Sequence, residues 1–181
     1  MNVIFLAGVH GVGKGYLGAP VAASLNIVHC TASQLIRDEK GRATWGGDKL
    51  VADVDDNQVA LINAVNRQRA STRTILLDGH FVLRGMGGGL IRLAIDVFSS
   101  LRLSGVILLC DDAETIAARL ASRDGVSTSS ESIAELAAEE AAHARAICCA
   151  LEIPLIVVDS PTEMHLMDAV MKLLAVPPER S

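Results

Sequence analysis

The chain has 181 residues, the length of one domain, and half of them are hydrophobic while 20% are charged, which excludes an intrinsically disordered protein. The formal charge of −5 argues against a protein that coats nucleic acid or a membrane surface, and no apolar run approaches the roughly 20 residues of a membrane span. The four cysteines lack metal-binding spacing, and the first residues lack the basic start of a signal peptide. We therefore expect a cytoplasmic protein with reduced thiols.

Five short apolar runs predict β-strands, and longer stretches with helical periodicity separate them. The predicted strands are 3–7, 27–30, 74–78, 106–110 and 155–159. The predicted helices begin near Lys14 and continue with 33–40, 55–70, 90–101, 113–122, 130–152 and 162–174. The runs are continuously apolar, as in parallel strands that are covered on both faces. The sequence therefore predicts one three-layer α/β domain over residues 1–181, with a five-stranded, mostly parallel sheet.

A glycine-rich segment over residues 8–15, Gly-Val-His-Gly-Val-Gly-Lys-Gly, directly follows the first predicted strand. Gly8, Gly13 and Lys14 have the spacing of a phosphate-binding loop. Glycines permit a tight turn whose N–H groups converge on a phosphate, and the following helix adds its positive dipole end. We expect this loop to bind a nucleotide, with the Lys14 side chain facing solvent until it meets the outer phosphates. Gly15 stands where a hydroxyl residue usually contacts Mg²⁺.

The third predicted strand ends on Asp78, the position of a second acidic motif in phosphate-loop enzymes. A carboxylate there binds Mg²⁺, directly or through water, and the lack of a hydroxyl on Gly15 favours contact through water. The alternative is a carboxylate that caps a turn. His10 lies in the loop and His80 follows Asp78, so both are expected beside the ligand as hydrogen-bond donors that position it. His80 is expected to contact the molecule that accepts a phosphoryl group.

Charged side chains form patterns on two predicted helices. Arg119 and Arg123 are four residues apart and project from one face, where either phosphates or carboxylates such as Glu114 and Asp124 would pair with them. The next helix carries acidic residues near its start and basic residues later, a charge order that suits the helix dipole. We interpret these acidic residues as a solvated face: Glu131, Glu135, Glu139 and Glu140.

The phosphate loop, with Gly after its Lys, resembles that of adenylate kinases and related nucleoside monophosphate kinases, and the chain is most similar to the short archaeal-type adenylate kinases. The segment 29–37 resembles their acceptor segment, which implies that Ser33 and Arg37 bind the acceptor and its phosphate. The segment 76–81 resembles their Leu-Asp-Gly-Phe-Pro-Arg, but the Pro-Arg is missing and Arg84 is the nearest substitute.

The resemblance also implies roles around ATP. The Arg119–Arg123 pair would neutralise the transferring phosphoryl group, with Arg119 also reaching the adenine, and Ser160-Pro161 resembles the turn that touches adenine. The implied ATP-binding residues are Gly8, His10, Gly11, Val12, Gly13, Lys14, Gly15, Tyr16, Arg119, Ser160 and Pro161. The implied acceptor-binding segment spans about 31–72 and a short lid about 124–130. Trp45 and its neighbours over 41–48 either cover the acceptor or form a solvent-facing loop.

The expected function is Mg²⁺- and ATP-dependent transfer of the γ-phosphoryl group to a small acceptor, with a nucleoside monophosphate as the acceptor that the resemblance implies. Lys14, Arg119 and Arg123 are the expected catalytic residues. One alternative is a kinase of the same fold for a sugar, a nucleoside or a shikimate-like acid. Another is an ATP-binding switch or ATPase without a small acceptor. ATP and the acceptor are the expected partners, and no nucleic-acid or membrane partner is expected.

Overall fold

The structure is a computed structural model that describes residues 2–41, 54–69, 72–85, 88–125 and 128–175. Its strands are β1 (Asn2–Ala7), β2 (Val28–Thr31), β3 (Thr74–Asp78), β4 (Val82–Arg84), β5 (Leu90–Arg92), β6 (Gly105–Cys110) and β7 (Leu155–Asp159). Its helices are α1 (Lys14–Ser24), α2 (Ala32–Lys40), α3 (Val54–Gln68), α4 (Ile95–Leu101), α5 (Ala113–Asp124), α6 (Ser130–Ala150) and α7 (Glu163–Ala175). The five strands predicted from the sequence form the main sheet.

The main sheet has the strand order β2-β3-β1-β6-β7, and every neighbouring pair is parallel. β1 therefore lies at the centre, and the register places Leu6 opposite Asp78 of β3. The carboxyl ends of β1 and β3 lie side by side, so the phosphate loop after β1 and the segment after β3 leave the sheet at the same edge. Ligands of open parallel sheets bind at this edge.

Two apolar clusters cover the two faces of the sheet. Alternate residues of β1 belong to different clusters: Val3 and Phe5 pack with α2, α3, α4 and α6, whereas Ile4 and Leu6 pack with α1 and α7. All four of these β1 side chains are at most 2% exposed. Burial on both faces explains why the strand sequences are continuously apolar, and the predicted three-layer architecture is confirmed.

The prediction of one helix over residues 90–101 is wrong in its first part. Leu90–Arg92 form β5, which pairs antiparallel with β4 (Val82–Arg84), and only Ile95–Leu101 are helical. The hairpin closes through a hydrogen bond from the Gly85 N–H to the Gly89 carbonyl oxygen. The sequence reasoning missed this hairpin because three-residue strands are too short to show a period.

No helix in the described ranges is long and apolar enough to cross a membrane. The four cysteines are all free: Cys148 is buried and Cys149 is exposed, while Cys30 and Cys110 are half-buried. The predicted acceptor segment and lid fall partly, and Trp45 falls wholly, outside the described residues.

Candidate active site

The phosphate loop occupies the edge of the sheet between β1 and α1. Gly8, Gly11 and Gly13 have φ angles of 136°, 83° and 109°, in the left-handed region that glycine adopts without strain. At Gly8 a Cβ atom would lie 2.6 Å from the carbonyl oxygen of Leu109, so the loop also needs glycine there for space. The loop conformation thus follows directly from the glycine spacing in the sequence.

Lys14, the first residue of α1, turns back over its own loop. Its side chain is only 6% exposed, and its ammonium group donates hydrogen bonds to the carbonyl oxygens of Gly8 and Val9. Its Nζ also lies 3.1 Å from Nε2 of His80 and 3.8 Å from Oδ1 of Asp78. The expectation that this lysine faces solvent is wrong, because carbonyl oxygens of the tight loop are close enough to satisfy the ammonium group.

Asp78 ends β3 beside the loop, and its side chain is 12% exposed. Burial raises the pKa of Asp78 from 3.8 to about 6, although the nearby Lys14 ammonium lowers it. A Cβ atom at Gly15 would lie 3.9 Å from Oδ2 of Asp78, so the carboxylate faces the start of α1. Within the described ranges there is no cluster of three or more His, Cys, Asp and Glu suited to a metal. One carboxylate fits a Mg²⁺ ion whose other ligands are phosphate oxygens and water.

His10 and His80 form an imidazole pair next to Lys14, with ring centroids 4.3 Å apart and ring planes inclined at 43°. The ammonium group of Lys14 can only donate, so Nε2 of His80 accepts and the proton of a neutral ring lies on Nδ1. The ring predicted near the acceptor from the sequence therefore contacts Lys14.

Gly79 lets the segment after β3 lie close to the sheet. A Cβ atom there would lie 2.6 Å from the ring of Phe5. Phe5 packs edge-on against Phe81 and Phe98, whose own rings are stacked with centroids 4.4 Å apart. All three phenylalanines of the chain are in this cluster, which packs against the segment carrying Asp78 and His80.

One cavity of about 1130 Å³ extends from the phosphate loop to the helices α2, α3 and α4. Its lining includes these residues singled out in the sequence: His10, Gly11, Val12, Gly13, Lys14, Gly15, Tyr16, Ser33, Asp78, His80, Arg119, Arg123 and Pro161. Tyr16 is 85% exposed, so its aromatic ring is accessible to a ligand. The lining does not include Gly8, Arg37, Arg84 or Ser160.

The two ends of the cavity differ in chemistry. After the ligands predicted for them from the sequence, we name the end at the phosphate loop, with Asp78, Arg119 and Arg123, the donor end, and the end between the sheet and α2, α3 and α4 the acceptor end. Apolar residues dominate the acceptor end: Phe5, Ile36, Leu61, Leu83, Leu93, Val97, Phe98 and Leu101. Its polar residues are Thr31, Ser33, Asn57 and Gln58, and the described lining contains no Lys or Arg there.

Arg119 and Arg123 both lie on α5 at the donor end. Asp112 caps this helix by accepting hydrogen bonds from the N–H groups of Glu114 and Thr115 at 3.0 Å. Arg119 is 47% exposed and forms an ion pair at 2.8 Å with Asp111, a carboxylate that was not considered from the sequence. Asp111 is 10% exposed, but the Arg119 side chain is half exposed, so a phosphate can reach it from the cavity.

Two other arginines implicated by the resemblance lie outside the cavity lining. Arg37 is exposed on α2, one turn beyond Ser33. Arg84 ends β4 and donates hydrogen bonds to the carbonyl oxygen of Gly88 and to Oγ of Ser132, both at 3.1 Å. Arg84 thus connects the hairpin to α6.

The sequence reasoning missed Glu140, which is not on a solvated face. Glu140 is 1% exposed and accepts hydrogen bonds from backbone N–H groups of the phosphate loop and of the segment after β3. Helical spacing would have found it, because the other buried residues of α6 include Ile133, Ala144 and Ile147, which lie seven before, four after and seven after it. Its charged neighbours concealed this signal.

A family model described as an AAA domain matches residues 7–137 of the chain. No curated protein matches the sequence. Solved structures match over nearly the whole chain but at low identity. A shikimate kinase from Acinetobacter baumannii in complex with shikimate has 18% identity and a TM-score of 0.61, covering 99% of this chain and 96% of its own.

Two further kinases have similar structures. A gluconokinase from Sinorhizobium meliloti has 15% identity and a TM-score of 0.56, with 96% and 91% of the two chains covered. A sugar kinase from a Janibacter species has 18% identity and a TM-score of 0.55, with 98% and 96% covered. At this identity the likeness establishes the fold, which this chain shares with phosphate-loop kinases.

Proposed function

The chain belongs to the AAA domain family, and from that premise we propose that it is a kinase that transfers the γ-phosphoryl group of ATP to a hydroxyl group of a small acceptor. The observation that carries the proposal is the single cavity with two chemically different ends. Phosphate-binding groups line one end, and a walled compartment large enough for a small molecule adjoins it. A protein that only binds or hydrolyses ATP has no need of the second compartment.

At the donor end, the residues present fit MgATP. The loop amides and Lys14 bind the phosphates, and Lys14 exchanges its carbonyl partners in the loop for phosphate oxygens. Asp78 would hold Mg²⁺, directly or through water, and the ion would supply positive charge to the phosphates. Arg123 and Arg119 stabilise the charge that develops on the transferring group. The products are ADP, the phosphorylated acceptor and a proton.

The acceptor that fits best is a neutral or weakly charged hydroxylated molecule. A phosphate on the acceptor needs a cation, and the described lining of the acceptor end has no Lys or Arg. Thr31, Ser33, Asn57 and Gln58 offer hydrogen bonds, while the apolar walls fit a carbon skeleton. The kinases of similar structure are named for shikimate, gluconate and a sugar, which agrees with an acceptor of this class.

A nucleoside monophosphate remains the second candidate acceptor, on one observation. Ser33 lines the cavity, and Arg37 lies one turn further along the same helix. A rotation of the Arg37 side chain around the end of α2 would bring a cation to the acceptor.

The test is a kinase assay in which ADP formation from MgATP is measured with a panel of acceptors: hydroxy acids, sugars, polyols, nucleosides and nucleoside monophosphates. The Lys14→Ala variant serves as the control for contaminating kinases. ADP formation that depends on a non-phosphorylated acceptor supports the proposal. Turnover with nucleoside monophosphates alone selects the second candidate, and acceptor-independent hydrolysis throughout the panel contradicts both.

A further inference from the structure

Glu140 is a buried carboxylate in the middle of α6, and the proposed reaction does not use it directly. It is 1% exposed, whereas the adjacent Glu139 is partly exposed and forms an ion pair with Arg92 at 2.6 Å. A buried carboxylate is stable only when its oxygens accept hydrogen bonds or pair with a cation. The hydrogen-bond partners of Glu140 therefore indicate which segments it holds in place.

Its partners are three backbone N–H groups from two separate segments. Oε1 accepts from Gly8 at 3.3 Å and from Phe81 at 3.0 Å. Oε2 accepts from Phe81 at 2.9 Å and from Val82 at 2.7 Å. Gly8 is the first residue of the phosphate loop, and Phe81 directly follows His80.

The same two segments also meet on the opposite side, at Lys14. The ammonium group of Lys14 donates to the Gly8 carbonyl oxygen and contacts Nε2 of His80. These contacts form a closed ring that runs from Glu140 to Gly8, to Lys14, to His80, to Phe81 and back to Glu140. The step from His80 to Phe81 is the peptide bond, and the other four steps are hydrogen bonds. Lys14 lies in the cavity lining, whereas Glu140 lies outside it.

From this ring we infer that Glu140 is a positioning residue, which fixes the phosphate loop relative to the segment that carries Asp78 and His80. The inference rests on the proposed function only for its effect on turnover. The donor phosphates bind to the loop, whereas the metal-side carboxylate and His80 belong to the other segment. A displacement of about 1 Å between reacting groups can lower a rate about 10²-fold, so the distance between these segments matters for transfer.

The chemistry of the ring requires an ionised carboxylate. Three donors converge on two oxygens, and an amide in place of the carboxylate leaves only one accepting oxygen. Burial raises the pKa of Glu140, while the N–H groups and the Lys14 ammonium act in the opposite direction. Glutamine has the same shape but presents an NH₂ group to a backbone N–H, so one of the two segments loses its acceptor.

The experiment compares Glu140→Gln with Glu139→Gln, the matched loss of a carboxylate at the adjacent position of the same helix. Amide-resolved hydrogen exchange by NMR is measured on the full chain without ligand, and the dissociation constant of MgATP is measured by calorimetry without acceptor. Turnover is then measured with the acceptor that the panel identifies. The first two measurements do not depend on kinase activity, so failure of the proposed function is distinguished from failure of this inference.

In Glu140→Gln we expect exchange to accelerate about tenfold or more at Gly8 or at Val82, whichever N–H group meets the new NH₂ group, while exchange in β6 and α7 is unchanged. We expect kcat to fall by about 10- to 100-fold and the MgATP dissociation constant to change by less than about threefold. Glu139→Gln should behave as the wild type in all three measurements.

Glu140→Asp keeps the charge but shortens the side chain by one methylene group. It serves as the second variant if Glu140→Gln does not fold. It should give intermediate exchange rates and a smaller loss of kcat. Unchanged exchange at both Gly8 and Val82 would overturn the inference. So would a uniform acceleration across the protein with kcat falling only in proportion to the folded fraction, since that is the behaviour of a residue that merely stabilises the fold.

Discussion

The donor and acceptor ends of the cavity are built in different ways. The donor end derives mostly from one contiguous segment, residues 9–17, with Asp78 added by the neighbouring strand and Arg119 and Arg123 by α5. The acceptor end collects apolar side chains from β1, β4 and three helices that are far apart in the chain. The proposed phosphate site therefore depends on local backbone conformation, whereas the acceptor compartment depends on how whole elements pack.

The largest effect that would test this comparison is expected from Lys14→Ala. Its ammonium group binds phosphate oxygens in the proposed reaction, so turnover should fall by about 10³-fold or more. The measurement is kcat with the identified acceptor, with Lys172→Ala, an exposed lysine of α7, as the control. Near-normal turnover of Lys14→Ala would show that the donor end is misassigned.

The next largest effect is expected from Arg123→Ala. An arginine that stabilises charge in the transition state is worth on the order of 10³-fold in turnover, so kcat should fall far more than ATP affinity. Arg123→Lys should rescue poorly because lysine lacks the planar fork. Arg119→Ala is the comparison, and its effect should be larger on the ATP dissociation constant. If both variants keep the wild-type kcat, the two arginines are surface residues without a role in transfer.

Asp78→Asn should lower Mg²⁺-dependent turnover by about 10²-fold. The same substitution should raise the stability of the ligand-free protein. The pKa of Asp78 is raised from 3.8 to about 6, so its ionised form destabilises the folded protein fully above pH 6 and not at all below pH 4. We therefore expect the ligand-free Asn variant to have a higher Tm than the wild type at pH 7.5, with the difference disappearing towards pH 4.

In the wild type, the same shift predicts that kcat/KM for MgATP declines as the pH falls through about 6, because protonated Asp78 in the ligand-free enzyme binds the ion poorly. Both pH profiles, of Tm and of kcat/KM, can be recorded on the same samples. Full activity of Asp78→Asn at low Mg²⁺ would contradict the metal role of Asp78.

The smallest effects concern the acceptor end. Leu83→Ala removes an apolar contact from the compartment wall and should raise the acceptor KM about tenfold without changing ATP affinity. Arg37→Ala should change the acceptor KM by less than about twofold, because Arg37 is exposed and lies outside the lining. A large rise in acceptor KM in Arg37→Ala alone would reverse the preference and select the nucleoside monophosphate.

The sequence predicted the parts of the fold whose signal is local. The five main strands appear as continuous apolar runs, and the phosphate loop appears as glycines at positions with left-handed φ angles. The β4–β5 hairpin was missed because each of its strands has only three residues, which is too short to show an alternating pattern. Arg119 and Arg123 were expected at the site, and the structure places both in the cavity lining.

By itself, the sequence determined the α/β sandwich and the phosphate loop, since strand burial and glycine conformation are properties of a few consecutive residues. Tertiary structure alone decided that Lys14 folds back onto its loop, that Glu140 is buried behind it, and that Arg37 stays outside the cavity lining. The position of Glu140, for example, depends on which distant backbone groups come within hydrogen-bond range of its side chain. That distance is set by the packing of α6, β1 and β3 against one another, which no local pattern records.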